Sequence, residues 1–338
     1  MTPSTHSAPS TNSRLVAFGE LLLRLDTPGH QRITQTGSFT ARYTGGEANV
    51  AVALAQLGWP AAMVSKVPAH EIGSACINSL RQYGVDTAAV ARGGDRLGIL
   101  YVENGASQRP TSVIYDRLHT SIRGARPDEF DWPAILSGAG WFHFTGTAPA
   151  LGENVREVLR SAISQCRLLS IPVSFDCSYR SALWPIEQAA LAFQDLAADV
   201  DLLIASPSDA RNFFRISAAD DRQAIAELHQ IFNVRQIAYT EREIHSASVN
   251  LLSGILYDGT RFFDSRRHRI EIIDRIGSGD AFAAGVIFGL LSSWPQQQTI
   301  EFATAAAVLK HSLPGDFNLV SREEIERLVA DDNFRIRR

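Results

Sequence analysis

The run Ile276-Gly277-Ser278-Gly279-Asp280-Ala281-Phe282 sets two glycines and an acid in front of an apolar, small-residue segment, residues 283–291. A helix opening there leaves its first backbone N–H groups without intrahelical acceptors, which is a receptor for a phosphate. Asp280 stands in the first turn, where the helix dipole favours the carboxylate. It therefore reads as an ionised base able to take a proton from a substrate hydroxyl. The plainer alternative is a tight turn whose acid only stabilises a helix start. A second glycine entry argues for a site: Tyr43-Thr44-Gly45-Gly46-Glu47-Ala48-Asn49-Val50-Ala51 runs into the pattern Ala53, Leu54, Leu57 and closes at Gly58.

These residues need a scaffold. From Leu15, short apolar runs alternate with helix-period segments: 15–23, a helix over 47–57, 61–67, a helix over 72–83, 140–144, a helix over 154–166, 171–175, a helix over 186–196, and 201–205. Such alternation predicts a parallel sheet with helices on both faces. Two intervals, 25–44 and 95–124, break the rhythm and mix β-branched and aromatic residues with Gly, Pro and charges. They are too long for ordinary connections, so they predict a lid built from two insertions. The last third carries a strand over 236–240, a hairpin around Tyr257-Asp258-Gly259-Thr260, the glycine motif with its helix, and a helix over 299–311. A final helix starts at a capping box of Ser321 and Glu324.

The bulk properties bound the class. The chain has 338 residues, 45% hydrophobic, and a formal net charge of −4, enough for one large α/β domain with an appendage or for two modest domains. Basic residues are scattered apart from 266–269, read as a solvated strand edge, so no nucleic-acid footprint is present. Cys76, Cys166 and Cys177 lie in apolar patterns with no C-x-x-C pair, favouring buried reduced thiols. No apolar run reaches the roughly 18 residues a membrane span needs. The expectation is a cytoplasmic protein with no membrane partner and a disordered tail over 1–13. A P-loop is absent, and the first strand leads to Glu20-Leu21-Leu22 rather than a dinucleotide-binding glycine fingerprint.

Together these motifs make the chain resemble the ribokinase-like (PfkB-type) carbohydrate kinases, and within them the 2-keto-3-deoxygluconate kinases, from about Leu15 to Leu328. The glycine signature ending in Asn49, the GSGDAF signature and their separation carry the resemblance. The segments Arg109-Pro110-Thr111-Ser112-Val113-Ile114-Tyr115-Asp116-Arg117 and Phe175-Asp176-Cys177-Ser178-Tyr179-Arg180 add to it. The resemblance implies a ribokinase-like three-layer α/β sandwich with a mostly parallel central sheet and a small β-sheet lid. The core would comprise 14–24, 45–94 and 125–338, and the lid 25–44 and 95–124.

By resemblance, Asp280 is the base, and the amides around Gly277, Ser278 and Gly279 hold the transferring phosphoryl group. Gly46 and Asn49 approach sugar hydroxyls, Tyr101 and Tyr115 pack on the carbon skeleton, Arg117 and Arg180 offer forks to a carboxylate, and Asp316 holds a hydroxyl. ATP and Mg²⁺ are the implied cofactors, with Thr240, Gly277 and Gly279 on the nucleotide side. Two departures stand out. Ser206-Pro207-Ser208-Asp209 replaces an Asn-x-x-Glu element that organises Mg²⁺, leaving Asp209 as the candidate metal residue. The nucleotide-side turn, residues 239–244, lacks its glycine. The leading expectation is an ATP-dependent kinase of a keto-deoxy sugar acid. The alternatives are a kinase of another small sugar such as fructose or ribose, and a non-catalytic sugar-acid-binding regulator. An open lid face offers a surface for a homo-oligomer.

Overall fold

The computed structural model describes residues 13–330. The expected tail over 1–13 thus lies outside the described residues, except for Ser13, which is buried. The first apolar run does not make one strand. It divides at Gly19, where a β-carbon would fall 2.1 Å from the Glu47 carboxyl, into β1 (Arg14–Phe18) and β2 (Leu22–Asp26), which enter different sheets. The chain continues through β3 (Thr40–Thr44), α1 (Gly46–Gln56), β4 (Ala61–Val67), α2 (Glu71–Arg81), β5 (Val90–Arg92), β6 (Gly98–Glu103) and β7 (Ser112–Asp116). Next come α3 (Trp132–Ile135), β8 (Ala139–Thr145), α4 (Glu153–Leu168), β9 (Val173–Asp176), α5 (Ile186–Ala197), β10 (Leu202–Ile204), α6 (Pro207–Phe214) and α7 (Asp221–Phe232). The last third holds β11 (Gln236–Ile244), β12 (Val249–Tyr257), β13 (Phe262–Asp264), β14 (His268–Glu271), α8 (Ser278–Leu291), α9 (Gln296–Lys310) and α10 (Arg322–Ala330).

The large sheet has the order β13-β12-β11-β10-β9-β8-β1-β4-β5, with β14 also on β12. Pairing is parallel from β5 across to β11, and β12 is antiparallel to its neighbours. The period-2 alternation of β1 sends Val16 and Phe18 into one core with Phe142, Phe144 and Phe175, beneath α4, α5 and α7. Leu15 and Ala17 enter the opposite core with Met63 and Trp141, beneath α1, α8 and α9. A strand buried on both faces explains why 15–18 is an unbroken apolar run. Phe144 and Phe175 stack at 4.8 Å between centroids, a contact on the order of 1 kcal/mol beyond its burial.

Strand order reverses between β1 and β8: the chain moves one way through β4 and β5, and the other way from β8 to β11. At such a switch point the carboxyl ends of the strands frame a crevice. Here those ends carry Glu20, Thr145, Asp176 and Ser206.

Four strands form a separate small sheet, β3-β2-β6-β7. It begins at Leu22, earlier than the expected boundary at 25. The second excursion returns to the core before its expected end, since Ile122 is buried in the same core as Val16 and Phe18. The three cysteines are buried free thiols, and the Ser321–Glu324 capping box opens α10, with Ser321 N donating to Glu324 Oε2 at 2.8 Å. Among the described residues no helix is long and apolar enough to cross a membrane.

Candidate active site

The helix start over 277–280 forms as its sequence implies. Gly277 caps α8 in the left-handed region, φ 86°, and a β-carbon there would sit 2.1 Å from Asp316 O, so only glycine fits without strain. Asp280 is the third helical residue, and the amides of Gly279 and Asp280 have no intrahelical acceptor by position. The rest of α8 is apolar all round, and Gly285 and Gly289 bring its backbone against Ala303 and Thr299 of α9.

Asp280 Oδ2 accepts from Asn49 Nδ2 at 2.6 Å. A β-carbon on Gly46 would stand 3.7 Å from Asp280 Oδ1 and 3.3 Å from Thr145 Cγ2, so the first turn of α1 lies directly against the acid. The dipole argument predicts an ordinary ionised carboxylate, but burial outweighs it. Desolvation, opposed by the Asn49 hydrogen bond and reinforced by Asp316, raises Asp280 to about 6. Two neighbouring acids are raised to about 7, chiefly by burial, with the Asp280 charge adding to the rise and hydrogen bonds opposing it. Asp176 sits at the end of β9 near Asp280. Glu47 has an Oε1 that accepts from Thr145 N at 2.9 Å and Thr145 Oγ1 at 2.7 Å.

A cleft of about 400 Å³ opens beside Asp280, lined by Asp176, Arg180, Ser206, Thr240, Gly279 and Phe282 among others. Ser178, at φ 36°, turns the chain after β9 and donates its amide to Asp176 Oδ1 at 3.0 Å. Arg180 follows, exposed, its Nη1 donating to Tyr179 O, with no ion-pair partner among the described residues.

Other expected residues have different surroundings. Arg117 is buried and ion-paired through Nε with Glu20 Oε2 at 2.9 Å, its guanidinium 4.9 Å from the Tyr115 ring. Burial raises Glu20 and Arg117 opposes that rise, so this fork already has a carboxylate. Tyr101 pairs across the hairpin with Ile114, whereas Tyr115 pairs with Leu100. Directly opposed residues share a face and adjacent ones do not, so the two tyrosines lie on opposite faces. Tyr115 shares the inner face with Arg24, while Tyr101 packs edge-on against Phe39 on the outer one. The expected pair on one sugar skeleton is therefore not formed.

Asp316 is enclosed. Arg24 and Thr44 both donate to it, and Arg24, 1% exposed, also meets Asp26 at 2.5 Å and Asp274 at 2.6 Å. Each carboxylate oxygen already holds one donor, and at 5% exposure the group leaves little room for a sugar hydroxyl. Asp209 is likewise occupied. Its Oδ2 accepts from Ser206 N at 2.8 Å and Ser206 Oγ at 2.7 Å, while Asp209 N donates back to Ser206 Oγ, a capping box that starts α6. The described residues contain no group of three or more His, Cys, Asp or Glu able to hold a metal. The nucleotide-side turn over 239–244 does not form: β11 runs straight through it, paired with β12 as far as Ile244 and Asn250. Thr240 still lines the cleft.

Sequence reasoning missed Glu20, Glu47, Thr145 and Asp176 as site neighbours, and Arg242, whose Nη2 lies 3.3 Å from Ser278 Oγ. For Glu20, Thr145 and Asp176 the signal was a polar residue closing an apolar strand run.

The chain matches the model of the pfkB family carbohydrate kinases over residues 12–320. It is 32% identical to a 2-dehydro-3-deoxygalactonokinase of Haloferax volcanii, covering 94% of this chain and 96% of that one. It is 25% identical to a 2-dehydro-3-deoxygluconokinase of Bacillus subtilis, over 93% and 95%. A solved 2-dehydro-3-deoxygluconokinase of Thermotoga maritima superposes with a TM-score of 0.91 at 42% identity, over 94% of this chain and all of the other.

Proposed function

This chain belongs to the pfkB family of carbohydrate kinases, and we propose that it phosphorylates the terminal hydroxyl of 2-keto-3-deoxygluconate or a closely related keto-deoxy sugar acid, with ATP as donor. The relatives act on such acids by name. The observation that carries the reading is Asp280 at the open end of α8, beside a cleft lined by Gly279 and by Arg180, whose guanidinium has no ion-pair partner among the described residues.

In this reading Asp280 takes the hydroxyl proton, and a pKa near 6 leaves it mostly ionised at neutral pH. Asn49 fixes its orientation, and the bare Gly46 leaves room for the hydroxyl. Arg180 meets the sugar carboxylate. Arg117, steered by Glu20, and Tyr115 border the sugar from the inner face of the small sheet, which acts as the lid and excludes water. Thr240, Gly277 and Gly279 border the phosphates, and the apolar lining of the cleft by Ile204, Phe213 and Phe282 fits a nucleotide beside them. When bound, ATP supplies a transferable phosphoryl group whose passage needs positioning and charge neutralisation more than covalent help. A protein cage for Mg²⁺ is not available among the described residues, with Asp209 committed to its cap. The ion fits as one held mainly by phosphates and water. The outer face of the lid, where Phe39 is 39% and Ile114 53% exposed, is the surface for self-association. The setting is cytoplasmic.

The test is ADP release with ATP and Mg²⁺ against 2-keto-3-deoxygluconate, 2-keto-3-deoxygalactonate, gluconate, fructose and ribose. Turnover confined to the keto-deoxy acids is the expected result. Equal turnover of neutral sugars removes the carboxylate from the reading, and binding without turnover replaces the kinase with a regulator.

A further inference from the structure

Along β11 the side chain two positions beyond Thr240 is Arg242, on the same face of the strand and therefore directed toward the same side. Its Nη2 is 3.3 Å from the hydroxyl of Ser278, the first residue of α8. Its Nη1 is 3.2 Å from His311 Nε2. The His311 Nδ1 lies 2.6 Å from Ala307 O, so the hydrogen resides on Nδ1 and Nε2 is left as a neutral acceptor for the guanidinium. Burial, then Arg242 itself, lowers His311 to about 4 and keeps it uncharged.

Neither contact supplies negative charge. Among the described residues Arg242 has no ion-pair partner, whereas the buried arginines, Arg24 and Arg117, have carboxylates. Burial, with the Arg275 charge adding to it, pulls Arg242 down to about 10. A half-buried cation held against a helix N-terminus without a counter-charge is unfavourable in the free protein. The arrangement is satisfied when an anion occupies the end of α8, where its N–H groups and the guanidinium point at the same oxygens.

Resting on the kinase reading above, we infer that Arg242 is a catalytic residue whose guanidinium binds the terminal phosphoryl group of the nucleotide at the N-terminus of α8. In the transfer the acceptor hydroxyl oxygen forms the new P–O bond and its proton goes to Asp280, while the P–O bond to the departing diphosphate breaks. Arg242 donates to the non-bridging oxygens throughout and loses no proton. Its fork matches phosphate geometry and compensates the charge spread over those oxygens.

The experiment compares full-length wild type with Arg242→Gln and Arg242→Lys. The dissociation constants of ATP, ADP and AMP with Mg²⁺ are measured without sugar, together with the melting temperature without nucleotide and steady-state turnover of the sugar acid. For Arg242→Gln the expected results are a loss in kcat of about 100-fold, a sugar KM within about threefold, weaker ATP binding with AMP binding unchanged, and a melting temperature equal to or above wild type. Arg242→Lys recovers part of the ATP preference. If ATP and AMP affinities fall together, or the melting temperature falls in step with activity, Arg242 is only a strut between β11 and α8, and the inference is wrong. A wild-type protein silent on every sugar acid overturns the substrate reading instead, and the ATP-against-AMP comparison then decides the role of Arg242 alone.

Discussion

The helices that follow the two glycine signatures, α1 and α8, each place an acid in the first turn, yet the acids end in opposite situations. In α1 the acid is Glu47, wholly buried, accepting from Thr145 and lying against Gly19. In α8 it is Asp280, half-buried, oriented by Asn49, with Gly279 beside it lining the cleft. Both carboxyls are raised by burial, to about 7 and about 6. The lesson is that the motif supplies a polarised helix end, and what packs above it decides whether that end becomes a packing element or a reaction centre.

The comparison is sharpest in turnover. Asp280→Asn should lower kcat by about 10³-fold with sugar affinity retained, while Glu47→Gln keeps kcat within about tenfold of wild type. Comparable losses in the two variants would erase the distinction. The caps should differ next. Gly277→Ala forces an alanine into φ 86° against Asp316 O, costing about 1–3 kcal/mol in urea unfolding. Gly46→Ala enters a helical position with its methyl 3.3 Å from Thr145 Cγ2. It should change stability by less than about 1 kcal/mol and raise the sugar KM instead.

The remaining effect is in pH. A carboxyl whose folded pKa is raised binds its proton more tightly when folded, so its contribution to stability falls as pH rises through the window between its unfolded and folded values. For Glu47 that window runs from 4.5 to about 7. Glu47→Gln should therefore match wild type near pH 4 and exceed it at pH 8 by about 1–3 kcal/mol. A difference independent of pH would place the ionisation elsewhere.

The legible part of the molecule was its periodic part. Apolar runs that alternate with helical stripes, and glycines ahead of an acid, are local patterns, and they led to the two-faced sheet and to α8. What escaped depends on pairing between distant segments. Tyr101 and Tyr115 each sit in a convincing strand, but their parity follows from hairpin register, with Tyr101 opposite Ile114. The fork of Arg117 looked free because Glu20, 97 positions earlier, gives no sign in sequence that it will lie 2.9 Å away. Asp316 looked available for the same reason, its donors Arg24 and Thr44 lying at the other end of the chain. At 239–244 local resemblance predicted a turn, but pairing with β12 extended the strand and left Arg242 beside Ser278.

The central position of β1 also bears on synthesis. One of its neighbours, β4, emerges by residue 67, but the other, β8, is complete only at residue 145, whereas all four strands of the small sheet have appeared by residue 116. For that interval the nascent chain carries the edge of the apolar run 15–18 unpaired. This edge is the segment most exposed to pairing with another copy of the chain, until Trp141 and Phe142 arrive to cover it.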